Sequence, residues 1–443
     1  MPGPRVVSVQ GDEALPSRVD VVVVGGGIVG ASTALELAER GLRVALCEKG
    51  EIGGEQSSRN WGWVRVTRRD PREVPLMAEA LRIWPELQAR TGRDLGYSRA
   101  GIAFACRTDA DIEVAERSCE QLHAFQLKSD VLRGSDVAER LPDLQEPVKG
   151  IQFTPADGRA EPQMAAPAIA EAARDRGASL LTQCAVRGIE TAGGKVSAAV
   201  TERGPIACDA VVLAGGAWSR LFSGNLGIDL PQLKVMNTVM RTHPLANGPE
   251  VAYWTRDVAF RKRQDGGYTI ANGSLNYADI VPDSFRLAVT FFPALMHQWR
   301  DLRLRLGARF LVEAGYARRW SLDAPTPFEH TRVLDPEPHR RTIASTLAKA
   351  AEIAPVFAGA RVAQSWAGLI DVTPDALPVM SPVDTLPGFY IATGFSGHGF
   401  GIGPAAGRLM AEIVAGASPC VDPNDFRLSR FSDGTKIVID AGI

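Results

Sequence analysis

Residues 19–48, VDVVVVGGGIVGASTALELAERGLRVALCE, decide the fold of this chain. The β-branched run at residues 19–24 is typical of a strand buried on both faces, and it ends in a cluster of glycines. A helix-forming segment follows up to Gly41, then a second apolar run up to Cys47, and then Glu48. This order of strand, glycine turn, helix, strand and acid predicts a Rossmann-like unit that binds a nucleotide.

Three glycines in this segment fit the pattern G-x-G-x-x-G. Gly25 permits the tight turn, Gly27 lets the backbone approach a pyrophosphate, and Gly30 lets the helix pack closely on the strand. The first amides of the helix, which include those of Ile28 and Val29, are expected to point at that phosphate. The glycines therefore predict where the nucleotide is held.

Glu48 ends the second strand at the position where an acid accepts hydrogen bonds from a ribose, and Lys49 follows it. The stretch 19–38 is also the most apolar in the chain, but the charges of Asp20 and Glu36 exclude a membrane span. Residues 1–18 lack the apolar run of a signal peptide and are expected to form a loose N-terminal extension.

The composition is that of an ordinary globular protein. With 443 residues and 45% hydrophobic content, the chain is long enough for two cores or more. The formal net charge of -2 offers no basic excess for nucleic acid. The six cysteines and six histidines are scattered without metal-ligand spacing, so no metal site is predicted and a reducing cytoplasm is the expected location.

A polar, glycine-rich segment, residues 49–71, follows the nucleotide unit. A binding loop and a solvated turn are equally good interpretations of its local chemistry. Arg65 follows two tryptophans and is a candidate to bind a carboxylate with two N–H groups, although most arginines lie at the surface. The candidate binding residues of the loop are Ser57, Ser58, Arg59 and Asn60.

Two later segments repeat the pattern of a strand that runs into small residues. The predicted strand 205–213 leads to Ala214 and Gly215, where the backbone can lie close to a flat or charged group, or simply turn. The strand 389–393 leads to a glycine-dense turn and a helix predicted from Pro404. His398 stands where a nucleophile elbow requires glycine, which disfavours a serine hydrolase.

Together these segments resemble the FAD-dependent D-amino-acid oxidase and dehydrogenase family, in the branch of glycine oxidase, sarcosine oxidase and the putrescine-derivative oxidases. The resemblance covers nearly the whole chain. The segments that show the resemblance are VVVVGGGIVGASTALELAERG with Glu48, SSRNWGWVR, CAVRGIE, AGGAWS, WAGLIDVTPDALPVM and ATGFSGHGFGIGPAAG.

The resemblance implies an α/β fold with a Rossmann-like FAD-binding domain of the glutathione-reductase-like variant. A discontinuous α+β substrate domain is expected beside it. The expected FAD-binding domain comprises residues 19–92, 150–220 and 341–443, and the substrate domain comprises 93–149 and 221–340. Residues 1–18 stay outside both.

The resemblance also implies where an extended FAD lies. Gly25, Gly27 and Gly30 are expected at the pyrophosphate, Glu48 at the ribose, and the backbone of Val186 at the adenine. Residues expected along the phosphates and the flavin are Ser57, Ser58, Arg59, Asn60, Ala214, Gly215, Trp218, Gly397, His398, Gly399, Phe400 and Gly401.

Two residues are implied in the chemistry. In the sarcosine-oxidase-like members an arginine that aligns with Arg65 helps to hold the substrate carboxylate. His398 is the first candidate for tuning the flavin or the substrate, and a purely structural role for it stays open.

The chain departs from the sarcosine oxidases at two positions. Gly368 stands where those enzymes carry a cysteine bonded to the flavin, so FAD is expected to be bound noncovalently. Gly401 follows Phe400 where those enzymes carry a lysine that pairs with the substrate carboxylate, which leaves the identity of the substrate open.

The expected reaction is two-electron oxidation of a C–N bond, in which a hydride passes to flavin N5 and the resulting imine hydrolyses. The expected partners are an amine or amino acid and, as acceptor, oxygen or an electron carrier. Two alternatives stay open: an FAD-dependent 2-hydroxy-acid dehydrogenase and a non-catalytic flavoprotein subunit.

Overall fold

In the described part of the chain, the fold consists of two large β-sheets, two small sheets of three and two strands, and the helices packed on them. The computed structural model describes residues 3–440. The strands are β1 (Val21–Val24), β2 (Val44–Cys47), β3 (Trp63–Val64), β4 (Ile102–Cys106), β5 (Asp130–Leu132), β6 (Gly150–Thr154), β7 (Gly158–Arg159), β8 (Ser179–Leu181), β9 (Val186–Ala192), β10 (Lys195–Thr201), β11 (Gly204–Ala207), β12 (Ala210–Leu213), β13 (Leu233–Thr242), β14 (Ala252–Trp254), β15 (Ala259–Lys262), β16 (Tyr268–Ala271), β17 (Asn276–Asp279), β18 (Leu302–Arg305), β19 (Val362–Val372), β20 (Val379–Pro382) and β21 (Phe389–Thr393).

The helices alternate with these strands along the chain. They are α1 (Ile28–Glu39), α2 (Gln56–Arg59), α3 (Val74–Thr91), α4 (Asp109–His123), α5 (Ser135–Arg140), α6 (Pro162–Asp175), α7 (Ser219–Asn225), α8 (Pro282–Arg286), α9 (Ala288–Gln298), α10 (Ala308–Ala314), α11 (Pro327–His330), α12 (Arg340–Ile353) and α13 (Gly399–Ala415). Within residues 3–440, every helix is too short or too polar to cross a membrane.

The first sheet has six strands in the order β20-β21-β12-β1-β2-β8. All its pairings are parallel except that of β20 with β21 at one edge. β1 lies in the interior and is buried along its whole length, as its β-branched sequence predicts. The carboxyl ends of β1, β2, β12 and β21 lie at one edge of the sheet, which confirms the predicted Rossmann-like architecture.

The second sheet is larger and mostly antiparallel, with the order β18-β17-β13-β16-β15-β14-β4-β6-β5 and with β19 paired to β13. β13 and β19 pair from Leu233 with Val372 to Thr242 with Val362. β6 and β19 belong to this sheet although they fall within segments 150–220 and 341–443, which the sequence assigns to the FAD-binding domain. The chain therefore passes repeatedly between the sheets, and the predicted domain boundaries stay a prediction.

Two element boundaries predicted from the sequence are wrong. The segment 205–213 forms β11 and β12 in different sheets, because the pairing of β11 with β10 ends at Ala207 and the pairing of β12 with β1 begins at Ala210. Helix α13 begins at Gly399 rather than at Pro404, so the proline lies beyond the first turn. This earlier start brings the first amides of α13 next to the glycine-dense turn.

The N-terminal segment is better ordered than the loose extension that its sequence predicts. Val7 donates its N–H to the carbonyl of Gln163 at 3.0 Å, and Asp12 donates to the carbonyl of Leu180 at 2.7 Å. Residues 1 and 2 lie outside the described part of the chain. Residues 3–18 thus run along α6 and the edge of the first sheet.

Helices α1 and α13 cross at a contact that requires glycine. A Cβ atom added at Gly407 would lie 2.3 Å from Cβ of Ser32 and 2.6 Å from the backbone nitrogen of Thr33. Because the neighbouring atoms on α1 include backbone, the helices would have to separate to accept any side chain. This crossing fixes the position of α1, whose first turn carries the predicted nucleotide site.

We predict that Gly407→Ala lowers the free energy of unfolding by about 1–3 kcal/mol, the usual cost of overpacking a core, and weakens cofactor retention. Gly224→Ala in α7 is the matched control, because a Cβ there has no neighbour within 4 Å. Alanine in a helix is favoured over glycine by up to about 1 kcal/mol, so this control should be neutral or stabilising. Equal melting temperatures for the two variants would contradict the prediction.

Candidate active site

A cavity of about 720 Å³ is lined by residues of both sheets. That volume is in the range of cavities that enclose a large organic ligand. Of the site residues predicted from the sequence, Gly30 and Ser58 do not line it, while Arg65 and the others do. The cavity therefore brings together residues that the sequence separates by more than three hundred positions.

The glycine turn after β1 is shaped by close backbone contacts. Gly25 has φ +106°, and a Cβ atom there would lie 2.4 Å from the carbonyl oxygen of Ala214. A Cβ atom at Gly30 would lie 1.9 Å from the carbonyl oxygen of Gly25. Gly30 therefore allows α1 to pack closely against the turn and does not line the cavity. At Gly27 the nearest neighbour would be Oγ of Ser57, at 3.1 Å, which leaves this side of the turn open to a phosphate.

Glu48 is held rigidly at the end of β2. Its carboxylate accepts the N–H of Gly26 and the N–H of Gly50, each at 2.7 Å. Burial raises its pKa, against the opposing effects of Lys49 and of the two amides. Each carboxylate oxygen keeps a lone pair, so Glu48 has the acceptors that a ribose diol requires.

The adenine position predicted at Val186 lies close to Glu48 along the backbone. Cys184 donates its N–H to the carbonyl of Glu48 at 2.8 Å, and Val186 lines the cavity two residues later. The open side at Gly27, the carboxylate of Glu48 and this backbone segment lie along one cavity. These residues fit the adenosine diphosphate half of an extended FAD.

The polar loop divides into lining residues and residues that hold the loop. Ser57 accepts the N–H of Ile28 at 2.9 Å and lines the cavity, whereas Ser58 is buried and donates to the carbonyl of Glu55. Arg59 lines the cavity but pairs with Asp335 at 2.6 Å. Arg59 is therefore neutralised within the protein.

Beside this loop, Lys49 and Trp218 form one wall. Lys49 pairs with Glu55 at 2.7 Å and lies 4.9 Å above the ring of Trp218. Trp218 donates its ring N–H to the same carboxylate at 3.1 Å. The predicted contributions of Lys49 and Trp218 to the cofactor site are thus coupled through Glu55, which the sequence did not single out.

His398 forms a buried pair with Glu73, in which Nδ1 lies 2.8 Å from Oε2 of the carboxylate. Burial, reinforced by nearby Arg69, lowers the pKa of His398 to about 4 despite the carboxylate. Burial raises the pKa of Glu73, but the opposing effects of His398, Arg69 and Arg65 are larger together, so its pKa is lowered overall. An ionised Glu73 accepts a hydrogen bond from the N–H of Nδ1, so Nε2 of neutral His398 carries a free lone pair.

Glu73 was missed because it lies 325 positions from His398. Its sequence context, the start of an amphipathic helix, gives no sign of a functional role. Within residues 3–440, Nε2 of His398, Oε1 of Glu73 and one terminal nitrogen of Arg69 are buried without a hydrogen-bond partner. Buried polar atoms without partners at a cavity are a mark of a site built to receive a ligand.

Asp371 is a second residue that the sequence did not identify, although it lies inside the quoted segment WAGLIDVTPDALPVM. Its carboxylate accepts the N–H of Gly394 at 2.7 Å and the hydroxyl of Thr393 at 3.1 Å. Burial raises its pKa against these hydrogen bonds. Asp371 lines the cavity and links β19 of the second sheet to the turn after β21.

Comparison with known proteins agrees with this geometry. Residues 20–413 match the family model described as FAD dependent oxidoreductase (DAO). Sarcosine oxidase subunit beta from Arthrobacter sp. is 27% identical, over 94% of this chain and 91% of that protein. Glycine oxidase from Geobacillus kaustophilus is 26% identical, over 93% of this chain and 97% of that protein.

A solved structure of L-amino acid deaminase from Proteus myxofaciens, in complex with anthranilate, superimposes with a TM-score of 0.94. That protein is 34% identical in sequence, and the match covers 97% of each chain. The likeness therefore extends over both sheets and the cavity between them.

We predict that Glu48→Ala weakens FAD binding about 10- to 100-fold, because a hydrogen bond to a charged group contributes roughly 1.5–3 kcal/mol. Titration of the apo-protein with FAD, followed by flavin fluorescence, measures the effect. Glu86→Ala, on the exposed side of α3, is the control and should bind FAD like the parent chain. Unchanged affinity in Glu48→Ala, with a native circular dichroism spectrum, would contradict the assignment.

We also predict that His398 stays neutral between pH 8 and pH 5, because its pKa of about 4 lies below the ordinary 6.5. As the pH falls from 6.5 toward 4, the unfolded chain binds a proton that the folded site excludes. The stability contributed by this site is therefore complete above pH 6.5 and is lost toward pH 4. Carbon-13 NMR of labelled histidine, with His398→Gln to assign the signal, should show no protonation shift near pH 6.

Proposed function

Because the chain belongs to the family of FAD-dependent oxidoreductases, we propose that it oxidises the C–N bond of an α-amino acid whose carboxylate is bound by Arg65. The chain is an FAD-dependent enzyme of amine or amino-acid oxidation, as its relatives indicate. The proposal adds the substrate class and the residue that selects it.

The observation that supports this proposal is the position of the guanidinium group of Arg65 in the cavity. This group lines the cavity, lies 5.6 Å from the ring centroid of Phe104, and donates one hydrogen bond to the carbonyl of Thr67 at 2.5 Å. Within residues 3–440, Arg65 forms no ion pair with a carboxylate, and burial lowers its pKa to about 9. The buried carboxylates of Asp157 and Glu73 act on Arg65 without pairing with it directly, so its remaining N–H groups are available to an anionic ligand.

The backbone around Arg65 is fixed by Asp157. This buried carboxylate accepts the N–H of Val66 at 2.7 Å and the N–H and hydroxyl of Thr67. Burial raises the pKa of Asp157 to about 6, and the hydrogen bonds and Arg65 act against that rise. Arg65 is therefore presented from a rigid turn, as precise positioning of a substrate requires.

The residues have separate tasks in the reaction. The bound flavin supplies the hydride acceptor for C–N oxidation. Arg65 binds and orients the substrate carboxylate, and the aromatic side chains of Trp63 and Phe104 exclude water beside it. Glu73 holds the proton on Nδ1 of His398, which leaves Nε2 as an acceptor.

The likeness to L-amino acid deaminase supports L stereochemistry for the substrate. We further propose that FAD is bound noncovalently. Gly368 has no side chain to form a bond, and a Cβ there would lie 3.1 Å from Cβ of Arg59. Cys47 is the one cysteine among the described residues that line the cavity, and it lies beside Glu48 at the ribose end. The cytoplasmic location stays a prediction.

A substrate screen tests the proposal. Under anaerobic conditions, L-α-amino acids should bleach the flavin, whereas amines without a carboxylate and 2-hydroxy acids should not. Bleaching by 2-hydroxy acids alone would replace the proposal with a hydroxy-acid dehydrogenase. Stopped-flow reoxidation in air then distinguishes oxygen from an electron carrier as acceptor.

We predict that Arg65→Ala lowers kcat/KM for the best amino acid by roughly 30-fold or more, since removing one partner of a buried charged pair costs about 2–5 kcal/mol. The cost arises because the substrate carboxylate is left unpaired. Arg82→Ala is the control, because the side chain of Arg82 is 80% exposed on α3. Equal kcat/KM in Arg65→Ala and Arg82→Ala, with FAD bound in both, would rule out the proposed role.

A further inference from the structure

Beside Arg65, the cavity is lined by the guanidinium group of Arg68, for which the reaction proposed above has no use. Arg68 lines the cavity, and within residues 3–440 it forms no ion pair with a carboxylate. Its central carbon lies 5.1 Å from the ring centroid of Phe104 and 5.7 Å from that of Trp254. Burial lowers its pKa, and the opposing effects of Cys106 and Asp111 are smaller.

Arg68 is held in place by a buried amide. Its Nε donates to Oε1 of Gln152 at 3.2 Å. The amide nitrogen of Gln152 donates to Oγ of Ser118 at 3.0 Å and to Oγ of Ser129 at 3.3 Å. These donations fix which end of the amide faces Arg68. Apart from a long contact of 3.7 Å from one terminal nitrogen to the sulfur of Cys106, the donors at the end of the fork are left for a ligand.

The backbone at Arg68 is strained in a way that serves this placement. Its φ is +54°, in the left-handed region that an arginine rarely adopts. Such a conformation costs on the order of 1–3 kcal/mol and persists where the surrounding structure enforces it. Here Asp157 anchors Val66 and Thr67 before the residue, and Arg69 donates its N–H to the carbonyl of Val66 at 3.3 Å after it.

Arg65 and Arg68 share one aromatic ring. Both guanidinium groups lie within 6 Å of the centroid of Phe104, and neither forms an ion pair with a carboxylate among the described residues. Asp301, an acidic residue that lines the same cavity, is already paired with Arg256 at 2.5 Å. Two buried cations without a directly paired carboxylate, on one short stretch of wall, suit a ligand with two negative groups.

We propose that Arg68 binds a second acidic group of the substrate, so that the enzyme acts on α-amino acids with a carboxylate side chain. The inference rests on the proposed function, in which Arg65 binds the α-carboxylate. The substrate then lies along Phe104 with one carboxylate at each arginine. Arg68 is thereby a residue that determines specificity within the amino-acid class.

The test compares acids with amides of the same shape. Anaerobic flavin reduction is measured with L-glutamate against L-glutamine, and with L-aspartate against L-asparagine. We expect kcat/KM to favour one of the acids over its amide by at least tenfold. In Arg68→Gln this ratio should fall at least tenfold, while kcat/KM for the amide changes less than threefold. Arg68→Lys, which keeps the charge, should restore part of the preference, and Arg82→Gln should behave like the parent chain.

The outcomes separate this inference from the proposed function. Reduction by neutral α-amino acids, without preference for the acids, would overturn the role of Arg68 and leave that of Arg65 intact. A preference for the acids that Arg68→Gln retains would also overturn it. Reduction by no amino acid at all would overturn the proposed function, and the inference with it. Because the preference is measured in the parent chain first, poor folding of a variant does not remove the test.

Discussion

The close approach of backbone at the end of β1 is the constraint on which the rest of the site depends. Gly25 lies against the carbonyl of Ala214, and Gly30 lies against the carbonyl of Gly25, at distances that no Cβ atom tolerates. These contacts join β1, β12 and α1 at one point. Since α13 crosses α1 through Gly407, the same contacts also place the turn that carries His398. The cavity is formed by distant segments of the chain, and their relative positions depend on a few glycines at these contacts.

The substrate side of the cavity is organised by charge rather than by close packing. Buried ionic groups are usually paired, and most of those in this chain are: Arg59 with Asp335, and Arg261 with Glu161 at 2.7 Å. Arg65 and Arg68 depart from that pattern in the same cavity, on a turn that Asp157 holds by hydrogen bonds. In the proposed function, an anionic ligand offsets the free-energy cost of burying these two cations.

The fold of the unit expected to bind the nucleotide could be predicted from the sequence because its signals are local. The spacing of Gly25, Gly27 and Gly30 and the acid at Glu48 lie within one strand–helix–strand unit, and β1 and α1 form there as predicted. The partners of the predicted residues could not be read in the same way. Glu73 and Asp157 act through long-range contacts, and neither belongs to a spacing pattern. The hydrophobic pattern of residues 205–213 likewise did not indicate that they are divided between two sheets, because both parts are apolar enough for a strand.

Strand β19 has a consequence beyond its place in the second sheet. It pairs with β13 along its length, and at its end Asp371 grips the turn that follows β21 in the other sheet. Gly368 and Ile370 of the same strand line the cavity. Because Asp371 joins β19 to that turn by hydrogen bonds, we expect a shift of β19 on ligand binding to move the turn expected beside the flavin. The absorption spectrum of bound FAD is then expected to change even with ligands that are not oxidised.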